Sequence, residues 1–216
     1  MAFKSLVLDV NGVVLRDPDL FHHVRENHIA YVRSKVPIAK DARESERLVR
    51  LAYGHTKRGL ECVYGVDTSD FVEKVYDKKL MDRLTESVYS TRFQRDAQII
   101  YDIAKGHDWK VTLVSNAPQV WVSTVAEAIG DDAVYTCCTK DEMPWPEHHV
   151  HIFVDDSLKN ICAKQNAPNW SPILFTEEPK RPGVWYKQVQ SFDELALYIR
   201  SLDMWIDHDH WHRFEF

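Results

Sequence analysis

SLVLDVNGVVL, residues 5–15, joins an apolar run to a carboxylate and then to a glycine turn. The nearly continuous run from Phe3 to Val10 has the texture of a strand buried on both faces, as in a parallel sheet covered by helices. Three further runs share it: WKVTLVS (109–115), VHIFV (150–154) and PILFT (172–176). The first three of the four end in polar residues: Asp9, then Ser115 with Asn116, then Asp155 with Asp156. Ligands of open parallel sheets bind just beyond such strand ends. Acids, a hydroxyl and an amide from three segments are therefore predicted to meet in one crevice.

The stretch between the first two runs has a different period. PDLFHHVRENHIAYVRSK (18–35), KDARESERLVRLAYGHTK (40–57), TSDFVEKVYDKKLMDRL (68–84) and QRDAQIIYDIAKG (94–106) repeat apolar residues every three or four positions, which predicts helices. The last, about 93–106, reads as the crossover helix of the sheet. APQVWVSTVAEAIG (117–130) and SFDELALYIRSL (191–202) are two more amphipathic segments. The expected architecture is α/β, a Rossmann-like core formed by residues 1–16 and 92–216, with a small helical cap, residues 17–91, inserted after the first strand.

Bulk properties narrow the function classes. A chain of 216 residues with 44% hydrophobic content can bury a real core. Its formal charge of -6, from 33 acidic and 27 basic residues, provides no basic stripe for a nucleic-acid polymer. The apolar N-terminal stretch is too short, and interrupted by charge too soon, for a signal peptide or membrane span, so a soluble, cytoplasmic protein without a membrane partner is expected. Cys62, Cys137, Cys138 and Cys162 lack metal-ligand spacing and suit free thiols in a reducing compartment. Oligomeric state is not legible, and a homodimer is admitted.

Asp9 in DVNGVVL, Ser115 in LVSNA and Asp155-Asp156 in IFVDDSLKN resemble, in order and spacing, the first, second and fourth signatures of the haloacid dehalogenase (HAD) superfamily. YGHTKRGL (53–60), SNA (115–117) and FVDDSLKNI (153–161) further resemble its pyrimidine 5'-nucleotidase-like phosphatases. The resemblance covers roughly residues 3–176. It implies a phosphomonoesterase acting on a nucleoside monophosphate or another small phosphorylated substrate. Asp9 would attack phosphorus to give an aspartyl-phosphate. Asp9, the Asn11 carbonyl, Asp156 and Asp155, the last directly or through water, would hold Mg²⁺. Ser115 would bond a phosphoryl oxygen, beside the backbone N–H groups of the Asn11-Gly12-Val13 turn and Asn116. Lys140, by its place in the order, would balance charge. Only 15 residues then separate it from Asp155, and Pro144 and Pro146 in that interval oppose a crossover helix. The aromatic tail MWIDHDHWHRFEF, or a partner subunit, is expected to cover the sheet face this leaves open.

Asn11 stands where the resemblance implies an acid. An amide cannot give up and take back a proton, a task worth about 10²- to 10⁴-fold in rate. Three readings follow: a slow or non-catalytic phosphate-binding pseudo-phosphatase, an enzyme whose acid has been replaced by its isostere, or a 2-haloacid dehalogenase, whose halide leaves unprotonated. Plainer roles compete at other positions. Ser115 and Asn116 suit a helix N-cap, and Tyr53, His55 and Lys57 suit a helix-turn. His208, His210 and His212 are assigned no function.

Overall fold

The computed structural model describes residues 4–37, 41–130, 134–137, 150–164, 167 and 169–206. The interval with Pro144 and Pro146 and the tail from residue 207 lie outside them. Among the described residues, six parallel strands form one sheet in the order β3-β2-β1-β4-β5-β6. They are β1 Lys4–Asp9, β2 Trp109–Ser115, β3 Val134–Cys137, β4 Val150–Asp155, β5 Trp170–Phe175 and β6 Lys187–Val189. The four runs expected from the sequence are β1, β2, β4 and β5. β3 and β6 add to them at the two edges.

The sheet grows outward from β1 through β2 to β3, then resumes on the other side of β1 with β4. That reversal opens a crevice at the carboxyl ends of β1, β2 and β4. Register brings the sequence's polar residues level with one another. Leu8 pairs with Val154, so Asp9 and Asp155 follow side by side. Asp9 itself pairs with Val114, which places Ser115 one residue further out on the neighbouring strand.

Among the described residues, five helices separate β1 from the crossover helix: α1 Pro18–Lys35, α2 Ala42–Tyr53, α3 Thr56–Tyr64, α4 Phe71–Val75 and α5 Lys78–Val88. Carboxylates fix where several of them start. Asp17, Asp41 and Asp77 each accept from amides of the first turn, and Pro18 follows Asp17 at a position where its missing N–H costs nothing. Gly54 ends α2 at φ 73°, a left-handed conformation that glycine adopts freely. A Cβ on Gly59 would stand 2.5 Å from Val49 Cβ, so α3 can lie against α2 only with glycine there.

α6 Thr91–His107, α7 Gln119–Ile129 and α9 Phe192–Ile206 cover one face of the sheet, and α8 Leu158–Ala163 packs on the other. On the first face Leu6, Leu8, Leu113 and Ile152 meet Ile100, Trp121 and Phe192 in a cluster that runs on into the inserted helices through Leu20, Leu60 and Leu80. The opposite face carries a smaller cluster of Val7, Val114, Phe153, Ile161, Leu174 and Tyr186. Alternate residues of β1 thus enter different clusters, as a strand buried on both sides requires. Among the described residues no helix is long and apolar enough to cross a membrane.

Candidate active site

Asp9 and Asp155 end adjacent strands and are buried, while Asp156, one residue beyond β4, is exposed. One carboxylate oxygen from each lies within 4.8 Å of the others. Like charges gathered this closely repel, and a cation among them relieves the repulsion. The donors are hard carboxylate oxygens, which suit Mg²⁺ rather than a thiophilic metal. The turn after β1 is shaped to let them converge. Gly12 has φ +94°, and a Cβ built on it would stand 2.0 Å from Asp156 Oδ2. Only glycine provides both the backbone conformation and the space for that carboxylate.

The turn itself is tied by backbone bonds. Gly12 N donates to Leu15 O at 2.9 Å and Leu15 N to Val10 O at 2.8 Å. The Gly12 amide, expected from the sequence to face a phosphoryl oxygen, is therefore engaged in closing its own turn. Gly12 gives the Asp156 carboxylate its space.

Asp155 is held by residues that follow it. Ser157 N donates to its Oδ1 at 2.8 Å, and Asn160 Nδ2 reaches both carboxylate oxygens at 3.0 Å. Asn160 was not singled out in the sequence, although it lies in the same FVDDSLKNI signature. Its place five residues after Asp155, inside the short helix α8, was the available signal. Ser115, 2% exposed, accepts from Ala117 N at 3.1 Å through Oγ, which keeps its own hydrogen to donate. It does not cap α7, whose N-cap position is Pro118. Asn116 is exposed at the same sheet edge. Lys140 lies outside the described residues.

Asn11 is half-buried, and its Oδ1 accepts from Trp121 Nε1 at 3.0 Å. Trp121 is fully buried on α7, with the Tyr76 ring packed against it edge to face at a centroid distance of 5.5 Å. No sequence signal linked Trp121 to Asn11, because 110 positions separate them.

The segment containing Tyr53, His55 and Lys57 is used within the inserted helices. His55 Nδ1 caps α3 by accepting from Lys57 N at 3.1 Å. Burial, with the neighbouring His28 and Lys57, holds the His55 imidazole down at about 4.

No protein-family model matches the chain, and no curated protein sequence matches it. Solved structures do. A HAD phosphatase from Thermococcus onnurineus superposes with a TM-score of 0.58 at 15% identity, over 91% of this chain and 98% of that one. A haloacid dehalogenase-like family hydrolase from Xanthomonas campestris gives 0.50 at 12% identity, over 96% and 94%. A haloacid dehalogenase-like protein of unknown function from Agrobacterium tumefaciens gives 0.50 at 14%, over 93% and 99%. The chain has a HAD-like fold. The likeness spans the inserted helices as well as the sheet, and at these identities it concerns architecture alone.

Proposed function

We propose that the crevice binds Mg²⁺ with a phosphoryl group, and that the chain is a phosphohydrolase of HAD type acting on a small phosphorylated molecule, a nucleoside monophosphate among the candidates. The observation that carries this reading is the convergence of Asp9, Asp155 and Asp156 at the sheet's reversal point, with Gly12 shaped around Asp156. Asp9 and Asp156, with the Asn11 carbonyl, would hold the cation, and Asp155, oriented by Asn160, would support them directly or through water. Bound there, Mg²⁺ offsets the repulsion between the Asp9 carboxylate and an incoming phosphoryl group.

The residues of the chain divide the remaining work. Asp9 is the nucleophile, and the Ser115 hydroxyl donates to a phosphoryl oxygen. The Asn11 and Val13 amides and Asn116 complete the cradle, and Lys140 balances charge. The inserted helices, residues 17–91, act as a cap that excludes water and selects the leaving group, and the protein works in the cytoplasm.

One observation favours a second reading, a phosphate binder without turnover: Asn11 carries no exchangeable acid proton and its oxygen is already bonded to Trp121. Phosphate release from a panel of monophosphates, with and without Mg²⁺, separates the two when the chain is compared with Asn11→Asp. Mg²⁺-dependent release that rises with the carboxylate supports the hydrolase. Phosphate binding without release in either protein supports the binder. Neither binding nor release would end both readings.

A further inference from the structure

Trp121 decides what Asn11 presents to a ligand. An indole N–H donates and cannot accept, so the group it meets at 3.0 Å must be the amide oxygen and not the amide nitrogen. That fixes which way the amide faces. Trp121 is itself closely packed, with no exposed surface and with Tyr76 of the inserted helices against its ring. With Oδ1 committed to Trp121, the NH₂ group is the part of Asn11 left to face a ligand, two residues from Asp9. Among the described residues, the bond from Trp121 to Oδ1 is the hydrogen bond shown for this side chain. The position therefore offers a fixed hydrogen-bond donor that transfers no proton.

We infer that this donor sets the substrate class: phosphoryl compounds whose leaving group departs as a stable anion, such as acyl phosphates and aryl phosphates with acidic phenols. The inference rests on the proposed phosphohydrolase reading and narrows it. An Asp9 carboxylate oxygen forms a bond to phosphorus while the bridging P–O bond breaks, and the leaving oxygen keeps the electron pair. Asn11 Nδ2–H hydrogen-bonds that oxygen and stabilises its charge without protonating it. A carboxylate or an acidic phenolate leaves in this way; an alkoxide does not, because it needs a proton. Water then attacks phosphorus of the aspartyl-phosphate, the P–O bond to Asp9 breaks, and both water protons leave on the phosphate as dihydrogen phosphate. Asn11 touches the leaving oxygen in this scheme, and Trp121 is a positioning residue that acts through it.

The test is a leaving-group series with Mg²⁺ present: aryl phosphates of similar size with phenols of graded acidity, together with acetyl phosphate and a simple alkyl phosphate. For the unmodified chain kcat/KM should fall by about 10²- to 10⁴-fold from the most acidic to the least acidic leaving group, the range that general acid catalysis otherwise covers. Asn11→Asp should recover the poor leaving groups and change the good ones little. Trp121→Phe keeps a ring and removes the N–H, and should slow 4-nitrophenyl phosphate about tenfold. In an Asn11→Ala background the same change should have no further effect, whereas a purely structural role would lower the rate in both backgrounds. Rates independent of leaving-group acidity in the unmodified chain overturn the inference without requiring any variant, and so do additive losses. Silence toward every member of the series, in the unmodified chain and in Asn11→Asp, would overturn the phosphohydrolase reading, and the inference with it.

Discussion

At the N-terminal edge of the sheet, Asp203 of α9 meets Lys4 Nζ at 2.8 Å, His107 Nδ1 at 2.8 Å and Trp109 Nε1 at 3.2 Å. At the C-terminal edge, Asp9, Asp155 and Asp156 bring their oxygens within 4.8 Å of one another. The first acid is surrounded by donors and ties the last helix to the start of β1 and β2. The other three bring like charges together, and a cation bound among them would relieve their repulsion. The first edge holds the molecule together, and the second is the one we propose for a ligand.

Breaking the first edge should have the largest effect on stability. Asp203→Ala takes the counter-charge from the largely buried Lys4 ammonium, which keeps its bond to the His107 carbonyl, and the acceptor from the Trp109 N–H, and should cost about 3 kcal/mol. Thermal unfolding with and without Mg²⁺ checks the comparison: the melting temperature should drop while the increment produced by Mg²⁺ stays the same. A mild effect, or a lost Mg²⁺ increment, would erase the distinction between the edges.

The inserted helices contain a second set of groups used for folding, and acid should expose it. Glu46, 1% exposed, accepts from Thr56 Oγ1 and Arg50 Nε, both at 3.0 Å, beside His28. Burial alone would raise its carboxyl; the nearby His28 imidazole, the Arg50 charge and the Thr56 hydroxyl outweigh that and hold it at about 2. His55 is depressed to about 4 from 6.5. Between those values the unfolded chain binds a proton at His55 that the folded chain refuses, so stability falls as pH drops from 6.5 to 4, by on the order of 3 kcal/mol. Glu46 acts lower: its contribution is complete above its ordinary value of 4.5 and is lost as pH falls toward 2. His55→Asn retains an N-cap and removes the titration, so urea unfolding across the upper window should flatten. An unchanged slope would locate the pH dependence elsewhere.

The parts of this contrast legible in the sequence were those encoded locally. Continuous apolar runs gave β1, β2, β4 and β5, and with them the polar strand ends, because burial on both faces leaves a contiguous trace. β3 and β6 span four and three residues and left too short a pattern. Asp203, Trp121 and Asn160 were missed for another reason. Their partners are set by packing across the fold or by one helical turn, and no spacing rule names Lys4 for Asp203, 199 positions away. Gly12 was recognised as a site residue for its turn, but its close approach to Asp156 left no trace in the sequence, since that depends on a second segment.

Gly12→Ala is the next test in size. It forces an alanine into φ +94° with its Cβ against Asp156, which should cost about 1 to 3 kcal/mol. Displacing that carboxylate should also weaken Mg²⁺ binding, measured by calorimetry, by about tenfold or more, the loss of one good ligand interaction. Destabilisation with unchanged Mg²⁺ affinity would show that the turn, and not the acid cluster, is what requires the glycine.

Asp156→Asn should change the metal-free protein least. The residue is exposed, and the amide keeps an oxygen in the same space over Gly12, so stability without Mg²⁺ should move by less than about 1 kcal/mol. The informative quantity is the response to Mg²⁺. A cation that binds only the folded chain stabilises it by RT ln(1 + [L]/Kd), about 2.7 kcal/mol at a hundredfold excess over Kd. Exchanging a carboxylate for a neutral amide removes one unit of charge from the site, so this increment should shrink sharply at the same Mg²⁺ concentration while the metal-free melting temperature holds. Asp203→Ala predicts the opposite pair of results. A variant that kept the full Mg²⁺ increment would mean that Asp156 is not a ligand, and the carboxyl edge would have to bind its cation through Asp9 and Asp155 alone.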